Sequence, residues 1–168
     1  MTKHQEFLHS AHPIDSAMRE QIMVHLNAIE VQHNVTILFA CESGSRGWGF
    51  ASPDSDYDVR FLYVNRLPWY LTVASGRDVI ELPISGDLDI NGWDLRKALG
   101  LMRESNPTLL EWLRSPIVYS EALETMVPFR ALAEQVFSRV KAWHHYASMA
   151  KKNFREHLQA DVVRFKKY

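Results

Sequence analysis

The stretch CESGSRGWGFASPDSDYDVRFLYV, residues 41–64, sets Gly44-Ser45 at the head of a loop and Asp56-Tyr57-Asp58 at its end. The apolar run VTILFA (35–40) precedes the loop, and DVRFLYV (58–64) leaves it. Short continuous runs rich in β-branched residues suit buried strands, so the order reads as strand, loop, strand. Residues two apart on a strand point to one face, which puts Asp56 and Asp58 side by side with Cα atoms about 6.5–7 Å apart. Two such carboxylates repel unless a cation lies between them or one keeps a proton. A hard divalent ion such as Mg²⁺ resolves this, taking oxygen ligands and leaving positions for water and phosphate oxygens.

Asp-Ser-Asp-Tyr-Asp alone also reads as a solvated turn. The Gly-Ser pair ahead of it changes the weighing. Gly44 permits positive φ and close backbone approach. A short helix opening at Ser45-Arg46-Gly47 would turn N–H groups and the Ser45 hydroxyl toward a phosphate. A phosphate cradle followed by metal-binding acids is the equipment for transfer from a nucleoside triphosphate, where catalysis is mostly positioning and charge neutralisation.

The rest of the chain is consistent with one such domain. Its 168 residues are 46% hydrophobic and 23% charged, with a formal net charge of -1, enough for a real core and too neutral for a protein that coats nucleic acid by bulk charge. No apolar run approaches the ~20 residues of a membrane span. The N-terminal MTKHQEFLHSAHPID lacks a secretory layout, and the single cysteine, Cys41, fits a reducing compartment. A cytoplasmic protein with no membrane contact is expected.

Helical spacing of Met18, Ile22, Leu26 and Ile29 predicts a helix over 16–31, with Asp15 or Ser16 as its cap. VIELPI (79–84) reads as a strand, Ser85-Gly86-Asp87 as a turn, and LDIN (88–91) as the antiparallel return. DLRKALGLMRES (94–105) is helical with Asp94 at its start, and Pro107 opens a second helix over 108–115. Beyond SPIVY (115–119) the pattern is almost entirely helical, with Pro128 dividing a short helix from a long one. The long helix carries an apolar stripe, Leu132, Val136, Val140, Trp143, Ala147, Ala150, Phe154 and Leu158, expected to pack on the core or a partner. The fold class is therefore α+β, close to α/β: a small mixed sheet with packed helices over 1–119, then a helical region over 120–168.

The loop resembles the nucleotidyltransferase superfamily of the DNA polymerase β type. The signature there is a strand, a Gly-Ser pair, about ten residues, then two acids one residue apart opening the next strand. Here Ala40-Cys41-Glu42-Ser43-Gly44-Ser45 is followed by ten residues and then Asp56-Tyr57-Asp58-Val59. The resemblance implies a third carboxylate on a later strand. Leu88-Asp89-Ile90 fits best, while Asp87 in the turn and Asp94 at a helix start compete.

A narrower resemblance, carried by GSRGWGFASPDSDYDVRFLYV, DINGWDLRKAL, SNPTLLEWLRSPIVY and RFKKY, is to bacterial predicted nucleotidyltransferases of the YcgL and RNA-ligase-associated type. Members of that group continue past RFKKY with further helices, so the chain is expected to be truncated or naturally short. The resemblance implies Mg²⁺, with Mn²⁺ as a substitute, on Asp56, Asp58 and Asp89, and a nucleoside triphosphate held by Gly44, Ser45, Arg46 and Ser43. The acceptor implied is a hydroxyl of RNA, protein or a small molecule. The rival expectation is a nucleotide- or RNA-binding module that kept the fold without turnover.

Other residues have plainer readings. Arg46 could steady a triphosphate or be a solvated loop arginine, and Arg60 and Lys97 are the other nearby cations. Trp48 and Trp93 flank the acidic segments, with packing favoured over base stacking. Cys41 has no local base to make it a nucleophile. The histidines, including His4, His9, His12 and the pair His144-His145, share no metal-ligand spacing. Lys151, Lys152, Arg155, Arg164, Lys166 and Lys167 make a basic stretch that could meet RNA phosphates, or a solvated helix face.

Overall fold

The computed structural model describes residues 14–74 and 76–157. Helix α1 (Ser16–His33) buries Ile22, Leu26 and Ile29, the predicted stripe, and ends where Asn34 takes a left-handed φ of 52° and donates its N–H to Glu30. Strand β1 (Val35–Glu42) leads through the short helix α2 (Gly44–Gly47) into β2 (Tyr57–Asn65). After α3 (Leu67–Tyr70), the short β3 (Val79–Glu81) returns as β4 (Leu88–Asp94). Then come α4 (Leu95–Arg103), α5 (Pro107–Leu113), β5 (Val118–Glu121), α6 (Leu123–Val136) and α7 (Arg139–His157).

The strands form one mixed sheet in the order β3-β4-β2-β1-β5. The β2–β4 pair is parallel, and the β1–β2, β1–β5 and β3–β4 pairs are antiparallel. Apolar side chains cover both faces. Val59, Phe61, Tyr63, Leu88 and Ile90 pack with α1 on one face. Leu38, Phe39, Cys41 and Leu62 pack with Ala98, Met102, Leu109, Trp112, Met126 and Phe129 on the other. Asp58 and Arg60 share strand parity with Leu62, so they belong to the face roofed by α4–α6.

The α+β expectation holds, with three corrections in the C-terminal half. The end of SPIVY and the two residues after it form a fifth strand, β5. Pro128 does not separate two helices but lies within α6, anchored to the core by Met126, Phe129 and Ala133. The break falls at extended Phe137 (φ -61°, ψ 124°) and Ser138, whose carbonyl accepts from Ala142 and whose Oγ accepts from the Lys141 N–H.

This break divides the apolar stripe. Val140 and Trp143 are each 67% exposed and Phe154 58%, so these residues do not pack on the core. Leu158 lies outside the described residues.

Asp94 ties the α3 and α4 segments to the sheet. Fully buried, it accepts from the Arg96 N–H (2.8 Å), the Tyr70 hydroxyl (2.6 Å) and Asn65 Nδ2 (2.9 Å). Asp94→Ala leaves those donors unpaired and removes a helix cap, so a loss of about 2–4 kcal/mol is expected in denaturant unfolding. Asp94→Asn, which keeps an acceptor oxygen, is expected to lose less.

Candidate active site

The site forms where β1 ends and β2 and β4 begin. The loop returns on itself so tightly that the Ser43 N–H donates to the Asp58 carbonyl at 2.8 Å. Gly44 has φ +57°, and a Cβ there would lie 1.9 Å from Asp58 Oδ2. Only glycine lets the loop backbone meet this carboxylate. Ser43 stands at the N-cap position of α2 without a side-chain cap hydrogen bond, and Ser45 lies in the first turn, half-buried beside Gly44.

Arg46 is turned inward and is 3% exposed. Its Nη2 donates to the Ser55 carbonyl (2.8 Å) and its Nε to the Asp56 carbonyl (3.3 Å), and the guanidinium sits 4.0 Å above the Tyr57 ring. The arginine braces the loop that presents Asp56, which stands exposed one residue before β2.

The parallel register sets Asp58 beside Asp89. Between them lies Arg60, whose Nη2 donates to Asp58 Oδ1 at 2.9 Å and to Asp89 Oδ2 at 2.7 Å. Burial pushes the Asp58 carboxyl above its usual range, Arg60 pulls it back, and Asp89 and Asp56 raise it further. Asp94 is consumed by its cap. Asp87 belongs to the turn, where its carbonyl accepts from Tyr57 N–H. Asp89 is thus the acid that the fold brings to Asp58.

Oxygen donors of this kind suit Mg²⁺. Asp58 Oδ2 faces the bare Cα of Gly44, and a cation, Arg60, already bridges Asp58 and Asp89. Among the described residues no three His, Cys, Asp or Glu side chains converge as a ready-made ligand set.

Two residues of this neighbourhood escape sequence reasoning. Glu42, fully buried, accepts from the Asp58 N–H (2.8 Å) and from the Tyr119 hydroxyl (2.6 Å). The faint signal is a charged residue ending an otherwise apolar strand. Tyr119 lies 77 positions away and carries no local signal.

Burial pushes the Glu42 carboxyl up to about 7 from 4.5, against the hydrogen bonds of Tyr119 and the Asp58 amide. A raised carboxyl favours the folded state fully below the unfolded value and loses that contribution as pH rises through the folded one. Stability is therefore expected to fall between pH 4.5 and about 7, by on the order of 3 kcal/mol. Glu42→Gln should flatten that slope, read as melting temperature against pH.

The remaining candidates lie apart from the acids. Lys97 pairs with Asp78 at 3.2 Å, and Trp93 stacks on Trp112 at 3.8 Å. Cys41 is buried, and burial raises its thiol far above the usual value, which makes it inert. His144, His145, Lys151, Lys152 and Arg155 are exposed on α7. Arg164, Lys166, Lys167, His4, His9 and His12 lie outside the described residues. Trp48, 54% exposed, lines a cavity of about 300 Å³ with Ser43, Gly47, Glu111, Arg114, Phe137 and Tyr146. The Tyr146 hydroxyl donates to Glu111 at 3.0 Å across this space.

A Gly-Ser turn pressed on an acid at the mouth of the next strand, with another acid on the parallel neighbour, defines a DNA polymerase β-type protein. The chain belongs to the RNA repair pathway DNA polymerase beta family, RlaP, whose model matches residues 18–168. It is also 50% identical over 151 residues to the Bacillus subtilis (strain 168) protein titled "Uncharacterized protein YcgL". That match takes in 90% of this chain and 58% of the relative, so the chain spans less than two thirds of the relative's length. No helix among the described residues is long and apolar enough to cross a membrane.

Proposed function

We propose that the protein is a Mg²⁺-dependent nucleotidyltransferase that moves a nucleoside monophosphate from a nucleoside triphosphate to an acceptor hydroxyl. The observation that carries this reading is the contact of the Gly44 turn with Asp58, because a backbone turn that would receive a phosphate then lies against a carboxylate that would hold a metal. Gly44, Ser45 and Ser43 hold the phosphates, and Arg46 keeps the loop closed from behind. The cavity beside Trp48 supplies room for the nucleoside.

Asp56, Asp58 and Asp89 would hold the metal, which when bound neutralises phosphate charge and polarises the reacting oxygens; Mn²⁺ would substitute. The acceptor oxygen forms a bond to the α-phosphorus as the bond to the β-phosphate oxygen breaks. Pyrophosphate leaves, and the acceptor proton passes toward Asp89. The family's RNA-repair description supports an RNA hydroxyl as acceptor. A cytoplasmic setting belongs to the same proposal, supported by the single buried thiol.

The test supplies each α-labelled nucleoside triphosphate with Mg²⁺ or Mn²⁺ and a panel of RNA oligonucleotides, proteins and small hydroxyl compounds. Label on an acceptor with matching pyrophosphate release is expected. The binding module is the rival reading, favoured by the guanidinium that occupies the space between Asp58 and Asp89. Saturable triphosphate binding with no label on any acceptor would establish it instead.

A further inference from the structure

Arg60 is held more firmly than an ordinary surface cation. Its side chain is 17% exposed, and its Nη2 bridges the Asp58 and Asp89 carboxylates. Its Nη1 donates to the carbonyls of Val59 (3.0 Å) and Asp89 (3.1 Å). The guanidinium therefore takes one oxygen from each acid, while Asp58 Oδ2 stays turned to Gly44. Arg60's register neighbour on β4 is Asn91, whose Oδ1 is buried and has no hydrogen-bond partner among the described residues.

From this arrangement we infer that Arg60 is the resident counter-ion of the acidic site, and that Asp58 and Asp89 would hold a divalent cation together only as the guanidinium moves off them toward Asn91. The inference rests on the reading of the acids as metal ligands. Electrostatics gives the reason. The two neighbouring carboxylates repel each other, and an arginine tethered two residues along the same strand offsets that repulsion without a metal. The same cation then competes with the metal for identical oxygens. Asp56 and Asp58 Oδ2 lie outside its grip, so these oxygens would hold a metal while Arg60 stays in place, and Asp89 would join them only once Arg60 gives way. Arg60 is thus a positioning residue that sets how readily the site loads.

The test titrates Mn²⁺ alone into the purified chain, followed by the loss of the free-ion electron paramagnetic resonance signal, with melting temperatures of the metal-free proteins. Arg60→Met is expected to bind Mn²⁺ about tenfold more tightly than wild type, the scale of a typical coupling between competing ligands. Its metal-free form should melt lower and gain more from Mn²⁺. Arg60→Lys, with a single shorter-reaching ammonium, should fall between them, and it carries the test should the Met variant not fold. Equal or weaker Mn²⁺ binding by these variants, with binding abolished in Asp58→Asn, overturns the inference and leaves the metal reading standing. No Mn²⁺ binding in any of the proteins overturns both.

Discussion

Asp58→Asn is expected to cut nucleotidyl transfer by about a thousandfold or more, equivalent to roughly 4 kcal/mol of transition-state stabilisation, while leaving the fold in place. The fold survives because what Asp58 contributes to it is mainly backbone. Its N–H donates to Glu42 and its carbonyl accepts from Ser43, and asparagine keeps both. The proposed chemistry would not survive, because the neutral amide removes the charge that pairs with Arg60 and would hold a metal ion. Circular dichroism and melting temperature should move little while transfer of a labelled nucleotide disappears. If Asp58→Asn retains more than about a tenth of wild-type transfer, the acid is not a ligand in the reaction.

Gly44→Val is the second large effect. The residue sits at φ +57°, where a β-branched side chain is strained, and its Cβ would lie 1.9 Å from Asp58 Oδ2 and 2.8 Å from Cγ. A carboxylate tip can often swing aside, but here Oδ1 is tied to Arg60, and a swing breaks the bridge to Asp89. Loss of triphosphate binding is expected, with a stability loss of about 2–3 kcal/mol. Gly49 serves as the internal control. It has φ +79° but open space around its Cα, so Gly49→Ala should cost only about 1 kcal/mol of backbone strain and leave binding unchanged.

How much of this is legible in the sequence depends on whether a residue acts through its neighbours in the chain. Gly44 and Asp58 are legible because turn chemistry and strand patterning are local properties, whereas Asp56 precedes β2 by one residue, so the strand period does not set it beside Asp58. Asp89 is nearly so, since a turn-flanked strand segment announces itself, although its pairing with Asp58 needs the parallel register between β2 and β4. Arg60 is visible as a nearby cation, yet the two carboxylates it bridges lie on different strands, 2 and 29 residues away. Arg46 looks like a ligand in one dimension and proves to be a buried brace. Glu42 and Tyr119 meet between the adjacent strands β1 and β5, but 77 positions separate them in the chain. The C-terminal half misleads for a related reason. Helical spacing reports an apolar stripe but not which elements are left to cover it, and Ser138 outweighs Pro128 as the break because α6 is held by Met126, Phe129 and Ala133.

The proposed function turns on one claim, that the Gly44-Ser45 turn and Asp58 receive the phosphates and metal of a nucleoside triphosphate together. Calorimetric titration of the chain with a non-hydrolysable triphosphate tests it most directly, with Mg²⁺, without Mg²⁺, and in the Asp58→Asn background. The account predicts saturable one-to-one binding that requires Mg²⁺ and is lost with Asp58→Asn. Binding that is indifferent to Mg²⁺ and to Asp58, or no binding by the wild-type chain, would contradict it.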